Sequence, residues 1–198
     1  VTAPIVSVVN NCNSSTLTAG SFTGSLLWSN GSSATAITVA TAGTYTVTQT
    51  VNGCTSPSRS GVAAPKPNPA LTSNLTATVT TGTTFAYTPA SSVTGTTFSW
   101  TRAAVTGISN AAGSGTGNIS ETLNNQTSAA INVTYVYTLT ANGCTTTQNV
   151  VVTVNPAAAT VNCVINNSIT QSFNSTAIPA GRYIWFNSSF NPGSLGTG

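Results

Sequence analysis

The chain of 198 residues contains no histidine and a single acidic side chain, Glu121. General acid–base catalysis needs groups that titrate near neutral pH, usually histidine or paired carboxylates. Serine is a weak nucleophile unless such a base lies beside it. The only lysine, Lys66, lies among the prolines of "PKPNP", where an exposed linker is expected. The sequence therefore predicts that the protein is not an enzyme, and it offers no catalytic residue.

Metal and cofactor sites are also not expected. A zinc ribbon needs closely spaced cysteine pairs, and the four cysteines of this chain are far apart. A calcium loop needs several oxygen ligands in a tight turn, usually with more than one carboxylate. The "GSGTG" segment at 113–117 is not followed by a lysine or a helix, so it indicates a loop and not a phosphate site.

Charge is scarce as well: charged residues make up only 3% of the chain, which has four basic side chains and a net charge of +3. The basic residues are scattered, so nucleic acid would find no cluster of cations to bind. No apolar run approaches the roughly 20 residues that a membrane-spanning helix requires. We therefore expect no nucleic-acid partner and no membrane span.

Several segments of the chain show apolar and polar residues in alternation, with a period of two. Examples are "TYTVTQTV", "VTYVYTLTA" and "NVVVTV", in which β-branched and aromatic residues alternate with threonine or asparagine, as expected for half-buried strands. Asn-Gly pairs between such runs are typical of tight hairpin turns. The sequence predicts an all-β protein whose core contains Trp28 and Trp100, each on an alternating strand.

Proline-rich segments divide the chain. "AAPKPNPA" at 63–70 holds three prolines within five residues, and "VNPAAAT" at 154–160 marks a second boundary. We expect a β-sandwich at 1–64, a second at 65–157, and at 158–198 the start of a further β module that is incomplete alone.

The phrases "LLWSNG…AGTYTVTQTVNGC" and "TTFSWTR…VTYVYTLTANGC" resemble the immunoglobulin-like and PKD-like repeat modules of very large secreted surface proteins of Bacteroidota. The resemblance implies tandem immunoglobulin-like β-sandwiches, an extracellular or cell-surface location and, often, export through a type IX secretion route. It also implies a non-catalytic structural or adhesive role.

The cysteines pose a separate question, because "VNGC" at 51–54 returns as "ANGC" at 141–144. Cys12 and Cys54 bracket the Trp28 core at the places where modules of this family are clamped, so we predict a disulfide between them. Cys144 and Cys163 then remain as a second pair. Bonds from these two cysteines to another chain, or to residues beyond Gly198, stay open as alternatives.

Two functions compete. The first is a structural repeat that supplies length, stiffness and subunit contacts in a surface protein or filament. The second is an adhesive or glycan-binding module that uses the tail aromatics Tyr183, Trp185 and Phe190, with ice binding through Thr-x-Thr strands as a weaker variant. Because the tail has apolar clusters but too few strands to bury them, we expect copies or adjacent repeats to cover it by strand addition.

Pilus-type immunoglobulin folds can contain an intramolecular Lys–Asn bond. Lys66, Glu121 and either Asn149 or Asn155 are the residue types that such a bond needs. It requires a buried trio, however, and "PKPNP" is typical of an exposed linker. We therefore expect no such bond.

Overall fold

The computed structural model describes residues 1–158, 160–165 and 169–174. All regular elements in these residues are β-strands, so the all-β prediction is confirmed. The described part of the chain has no helix that is long and apolar enough to cross a membrane.

The first sandwich is built from seven strands in two sheets. Its strands are β1 (Ile5–Asn11), β2 (Ser14–Gly20), β3 (Ser25–Trp28), β4 (Ala36–Val39), β5 (Gly43–Val51), β6 (Cys54–Thr55) and β7 (Arg59–Ala63). One sheet has the order β1-β2-β4, and in the other β5 pairs with β3, β6 and β7. All these pairings are antiparallel. Alternating residues of the facing sheets form its core, which includes Leu17, Leu26, Trp28, Ile37 and Val47.

The second sandwich also has seven strands. They are β8 (Thr76–Thr80), β9 (Thr84–Tyr87), β10 (Thr97–Arg102), β11 (Gly113–Thr116), β12 (Ile119–Thr122), β13 (Ile131–Ala141) and β14 (Cys144–Asn155). Five of them form a sheet in the order β11-β10-β13-β14-β8, in which β8 runs parallel to β14. The other two, β9 and β12, form the opposite sheet. The longest pairing joins β13 to β14 through the hairpin at Asn142 and Gly143.

The predicted tryptophan cores are confirmed. The exposed fraction is 1% for Trp28 and 8% for Trp100. The indole Nε1 of Trp28 donates to the carbonyl of Ala34 at 2.8 Å. Trp100 packs edge-on against Tyr135, with ring centroids 5.5 Å apart. The period-two pattern located both cores because every second residue of each strand points into the sandwich.

The chain divides into two compact units, Val1–Pro156 and Ala157–Gly198. The first unit contains both sandwiches with their separate cores. In the second unit, β15 (Thr160–Ile165) pairs antiparallel with β16 (Ile169–Asn174). The division into modules 1–64, 65–157 and 158–198 stays a prediction about independent folding.

Candidate functional site

The junction between the two sandwiches is closed by a disulfide from Cys12 to Cys144, with a Cα–Cα distance of 5.6 Å. Cys12 lies in the turn between β1 and β2, next to Asn13, whose φ is 58°. Cys144 is the first residue of β14 and follows the Asn142–Gly143 turn. The bond therefore joins the first turn of one sandwich to a hairpin turn of the next.

The linker between the sandwiches is hydrogen-bonded to the same turn. The Asn13 N–H donates to the Lys66 carbonyl at 2.8 Å, and the Lys66 N–H donates to the Asn11 carbonyl at 2.9 Å. The Asn68 N–H donates to Asn13 Oδ1 at 3.2 Å. These bonds give the linker a fixed path past Cys12, so the "PKPNP" segment does not act as a free tether at this point.

The predicted disulfide between Cys12 and Cys54 is wrong, because the two residues lie at opposite ends of the first sandwich. Asn10 Oδ1 accepts from the Ala64 N–H, and the neighbouring Ala63 pairs with Gly43 at the start of β5. Cys54, in contrast, follows the far end of β5. That nine-residue strand is about 26 Å long at about 3.3 Å per step, whereas a disulfide needs Cα atoms within about 7 Å.

The predicted pairing of Cys144 with Cys163 is wrong for a simpler reason. Cys144 is already bonded to Cys12, and its side chain is fully buried. Cys54 is exposed and has no disulfide partner among the described residues. Cys163 belongs to β15, but its side chain lies outside the described part. The tail aromatics Tyr183, Trp185 and Phe190 also lie outside it.

The second sandwich contains a partly buried ion pair that the sequence pattern did not predict. Arg102 Nε donates to Glu121 Oε2 at 2.9 Å, and one terminal nitrogen of Arg102 donates to Glu121 Oε1 at 3.1 Å. The Tyr135 hydroxyl donates to Glu121 Oε2, and Arg102 also donates to the Ala111 carbonyl at 2.7 Å. The only carboxylate side chain of the protein is thus held by three donors.

This network changes how its members titrate. Burial raises the pKa of Glu121, but the hydrogen bonds from Arg102 and Tyr135 and the positive charge of Arg102 outweigh it and lower the pKa below its ordinary value. The hydrogen bond to Glu121 raises the pKa of Arg102 against the effect of burial. Burial, followed by the hydrogen bond to Glu121, raises the pKa of Tyr135 strongly. The pair is therefore charged at neutral pH and serves structure.

The residues considered for a Lys–Asn bond are not assembled as such a bond requires. Glu121 is paired with Arg102, Lys66 lies in the junction beside Asn11 and Asn13, and Asn149 is exposed on β14. Within the described residues, no group of three or more His, Cys, Asp or Glu side chains is placed to hold a metal ion. The disulfide-linked junction is the feature most open to a functional interpretation.

The second sandwich is similar to a known domain family. Residues 77–158 match the PKD-like domain family. The match begins in β8 and includes β9 to β14, so the PKD-like region coincides with the second sandwich and contains the Arg102–Glu121 pair and Cys144. No curated protein matches the chain.

Solved structures of tandem modules resemble the chain weakly. Sidekick-1 immunoglobulin domains 1–4 are 15% identical, with a TM-score of 0.36, over 78% of this chain and 49% of that one. Titin immunoglobulin domains A164–A165 are 12% identical, with a TM-score of 0.30, over 78% and 98%. The fibronectin(III)-like modules of Clostridium thermocellum CbhA are 10% identical, with a TM-score of 0.28, over 77% and 95%. The chain thus spans about half the length of the Sidekick-1 structure.

Proposed function

We propose that this chain is a non-catalytic structural segment of a secreted bacterial surface protein or extracellular filament. Its role is to supply length and stiffness. The observation that carries the proposal is the Cys12–Cys144 disulfide, which joins two successive sandwiches at the point where their linker is also hydrogen-bonded. A disulfide also suits an oxidising, extracellular location. The PKD-like match agrees with a structural or adhesive module.

The disulfide determines where a pulling force passes through the chain. Cys12 and Cys144 are 132 positions apart, and all strands from β2 to β13 lie between them. When tension is applied through the two ends of the chain, it crosses directly from Cys12 to Cys144. The residues between them cannot extend while the bond is intact, even if their sandwiches lose native contacts. A load-bearing surface protein would benefit from this protection.

Neighbouring subunits or repeats are proposed to add to this unit by strand addition. β1 is an edge strand of its sheet, and its outward side chains Ile5 and Val9 are each 58% exposed. Such an edge offers backbone donors and acceptors together with apolar side chains, and a chain with so few charges has little to protect it. Additional copies or adjacent repeats would cover this strand in an assembly.

The proposal is tested by stretching single molecules of the full chain between handles at its two ends. With the disulfide intact, we expect no extension from the segment that it encloses. After reduction, or in Cys144→Ser, the enclosed segment should add about 430–470 Å, at about 3.3–3.6 Å per residue. Cys54→Ser is the matched control and should behave as wild type. An oxidised chain that extends as far as the reduced chain at the same force would refute the proposed load path.

A further inference from the structure

The two Asn-Gly-Cys turns have the same local structure. In the first sandwich, Asn52 and Gly53 have φ values of 48° and 80°, and in the second, Asn142 and Gly143 have values of 53° and 79°. Each cysteine pairs with the residue just before its turn: Cys54 with Val51, and Cys144 with Ala141.

A threonine pair repeats beside each turn. The hydroxyls of Thr50 and Thr55 are 3.1 Å apart, and those of Thr140 and Thr145 are 3.0 Å apart. The threonines occupy the same positions relative to Cys54 and Cys144. The two turns are therefore structural repeats, and Cys54 stands where Cys144 stands in the next sandwich.

Among the described residues, Cys144 has a disulfide partner and Cys54 has none. Cys144 is bonded to a cysteine in the first turn of the preceding sandwich and is fully buried. Cys54 is exposed, and no sandwich precedes it in residues 1–198. The described residues thus contain one disulfide between modules. One module earlier, they contain an equivalent cysteine that has no partner among them.

The path of the chain that enters each sandwich is a second, independent similarity between the two modules. In the second sandwich the Thr146 hydroxyl donates to the Pro69 carbonyl, and the Leu71 N–H donates to Gln148 Oε1. The entering segment therefore runs along β14, the strand that begins at Cys144. In the first sandwich, Gln49 Nε2 donates to the Thr2 carbonyl at 2.7 Å. The entering segment again lies against the hairpin that carries the cysteine, so a preceding module would be directed toward Cys54.

We propose that Cys54 is an inter-module disulfide site whose partner is the first-turn cysteine of an immunoglobulin-like module preceding Val1. The reaction joins the two sulfur atoms and transfers two electrons and two protons to an oxidant, a small-molecule or protein disulfide that becomes a pair of thiols. The chain would then belong to a series in which each module is clamped to the one before it. This inference rests on the proposed role as a tandem structural segment.

The test adds residues 1–68 directly before Val1 of the intact chain. The added copy carries Cys54→Ser, and the intact chain carries Cys163→Ser, so that the added Cys12 and the original Cys54 are the available pair. The control replaces Cys54 by serine and introduces Ser33→Cys, an exposed position in the turn that follows β3. Both proteins are equilibrated with glutathione and glutathione disulfide, and the bonded fraction is measured by mass spectrometry.

A cysteine held near its partner has a raised effective concentration, so we expect the ratio of bonded to unbonded pair to be at least about tenfold higher with Cys54 than with the control. Equal ratios would overturn the proposal. Peptide mapping of the protein as its own cells secrete it is a second measurement. There, a Cys54 that reacts with alkylating agent before reduction, or that is joined to Cys163 or to another copy of itself, would also overturn it. Neither result affects the stretching experiment, which concerns only Cys12 and Cys144.

Discussion

Arg102 and Glu121 form a two-point ion pair in the second sandwich, and the exposed fraction of the side chain is 2% for Arg102 and 21% for Glu121. Arg102 also lies over the ring of Tyr135, with its guanidinium carbon 5.9 Å from the ring centroid. Few positions in this chain carry charge, and this pair uses its only acidic side chain. Because Glu121 neutralises the buried guanidinium of Arg102, loss of the carboxylate leaves an uncompensated charge and unsatisfied donors.

Glu121→Gln should destabilise the second sandwich. The amide keeps the size of the side chain but leaves the buried Arg102 charge without a counter-charge, so we expect a loss of about 3 kcal/mol in the free energy of unfolding, the lower end of what removal of one partner of a buried pair costs. Guanidinium or urea unfolding measures the change. Ser120→Ala, at an exposed position of the same strand, is the control.

The double variant Arg102→Met with Glu121→Gln separates this mechanism from a loss of packing. Removing the charge as well as its partner should recover a large part of the stability, because no unpaired ion remains. If the double variant loses as much free energy of unfolding as the sum of the losses in Glu121→Gln and Arg102→Met, the explanation by an unpaired charge is incorrect.

Stability in acid should depend on a single side chain. The folded state lowers the pKa of Glu121, so the stabilisation is complete above the ordinary glutamate pKa of about 4.3 and is lost as pH falls below it toward the folded value. Because a single group titrates, the free energy of unfolding should fall by at most about 1.4 kcal/mol per pH unit. Melting temperatures between pH 7 and pH 2 measure this decline. In Glu121→Gln the decline should be largely absent, and an unchanged acid profile in that variant would contradict the prediction.

Tyr135 and Tyr137 should resist ionisation in the native protein. Burial raises the pKa of both hydroxyls strongly above 10, the Tyr135 hydroxyl donates to Glu121, and the Tyr137 hydroxyl donates to the Gly117 carbonyl at 3.0 Å. A raised folded-state pKa stabilises the fold below pH 10, and this contribution decreases as pH rises further. Ultraviolet absorbance at alkaline pH should show that the hydroxyls of Tyr135 and Tyr137 ionise only as the protein unfolds. Their ionisation before any loss of β-structure would disagree with the burial described here.

Gly61→Ala should destabilise the first sandwich. A Cβ at this position would lie 2.7 Å from a methyl group of Val6 and 2.9 Å from methyl groups of Leu17 and Val8. Such overpacking typically costs about 1–3 kcal/mol, because β1 or β7 must shift. Thermal unfolding measures the effect, with Ser60→Ala at the neighbouring exposed position as the control. Equal stability of the two variants would show that the sheets separate without cost.

The fold could largely be predicted because its main signal is local. Alternation along β5 and β13 indicated both the strands and their buried faces, and Asn-Gly correctly marked the hairpin turns. Arg102 could also have been predicted as buried, since it lies two residues after Trp100 and therefore on the same face of β10. Glu121 could then have been predicted as its partner, because it is the only acidic side chain. Charged residues are usually exposed, however, so the sequence pattern alone does not favour a buried arginine.

The disulfide could not be predicted in this way. Pairing depends on which end of a sandwich each turn occupies, and sequence spacing carries no such information. Cys12 and Cys54 bracket one core along the sequence, yet β5 separates them by its whole length. The bond that forms joins residues 132 positions apart in different sandwiches. The linker lies against both sandwiches, because Lys66 is hydrogen-bonded to Asn11 and Asn13, and the Pro69 carbonyl accepts from Thr146.

The same bond also affects how the protein withstands proteolysis. Arg59, Lys66 and Arg102 lie between the bonded cysteines, and Arg182 is the only basic residue outside them. A protease that cuts once in this enclosed region opens a covalent ring and does not divide the molecule. The two pieces stay attached until the disulfide is reduced. A surface protein exposed to secreted proteases would therefore remain one covalent unit after a first cut there.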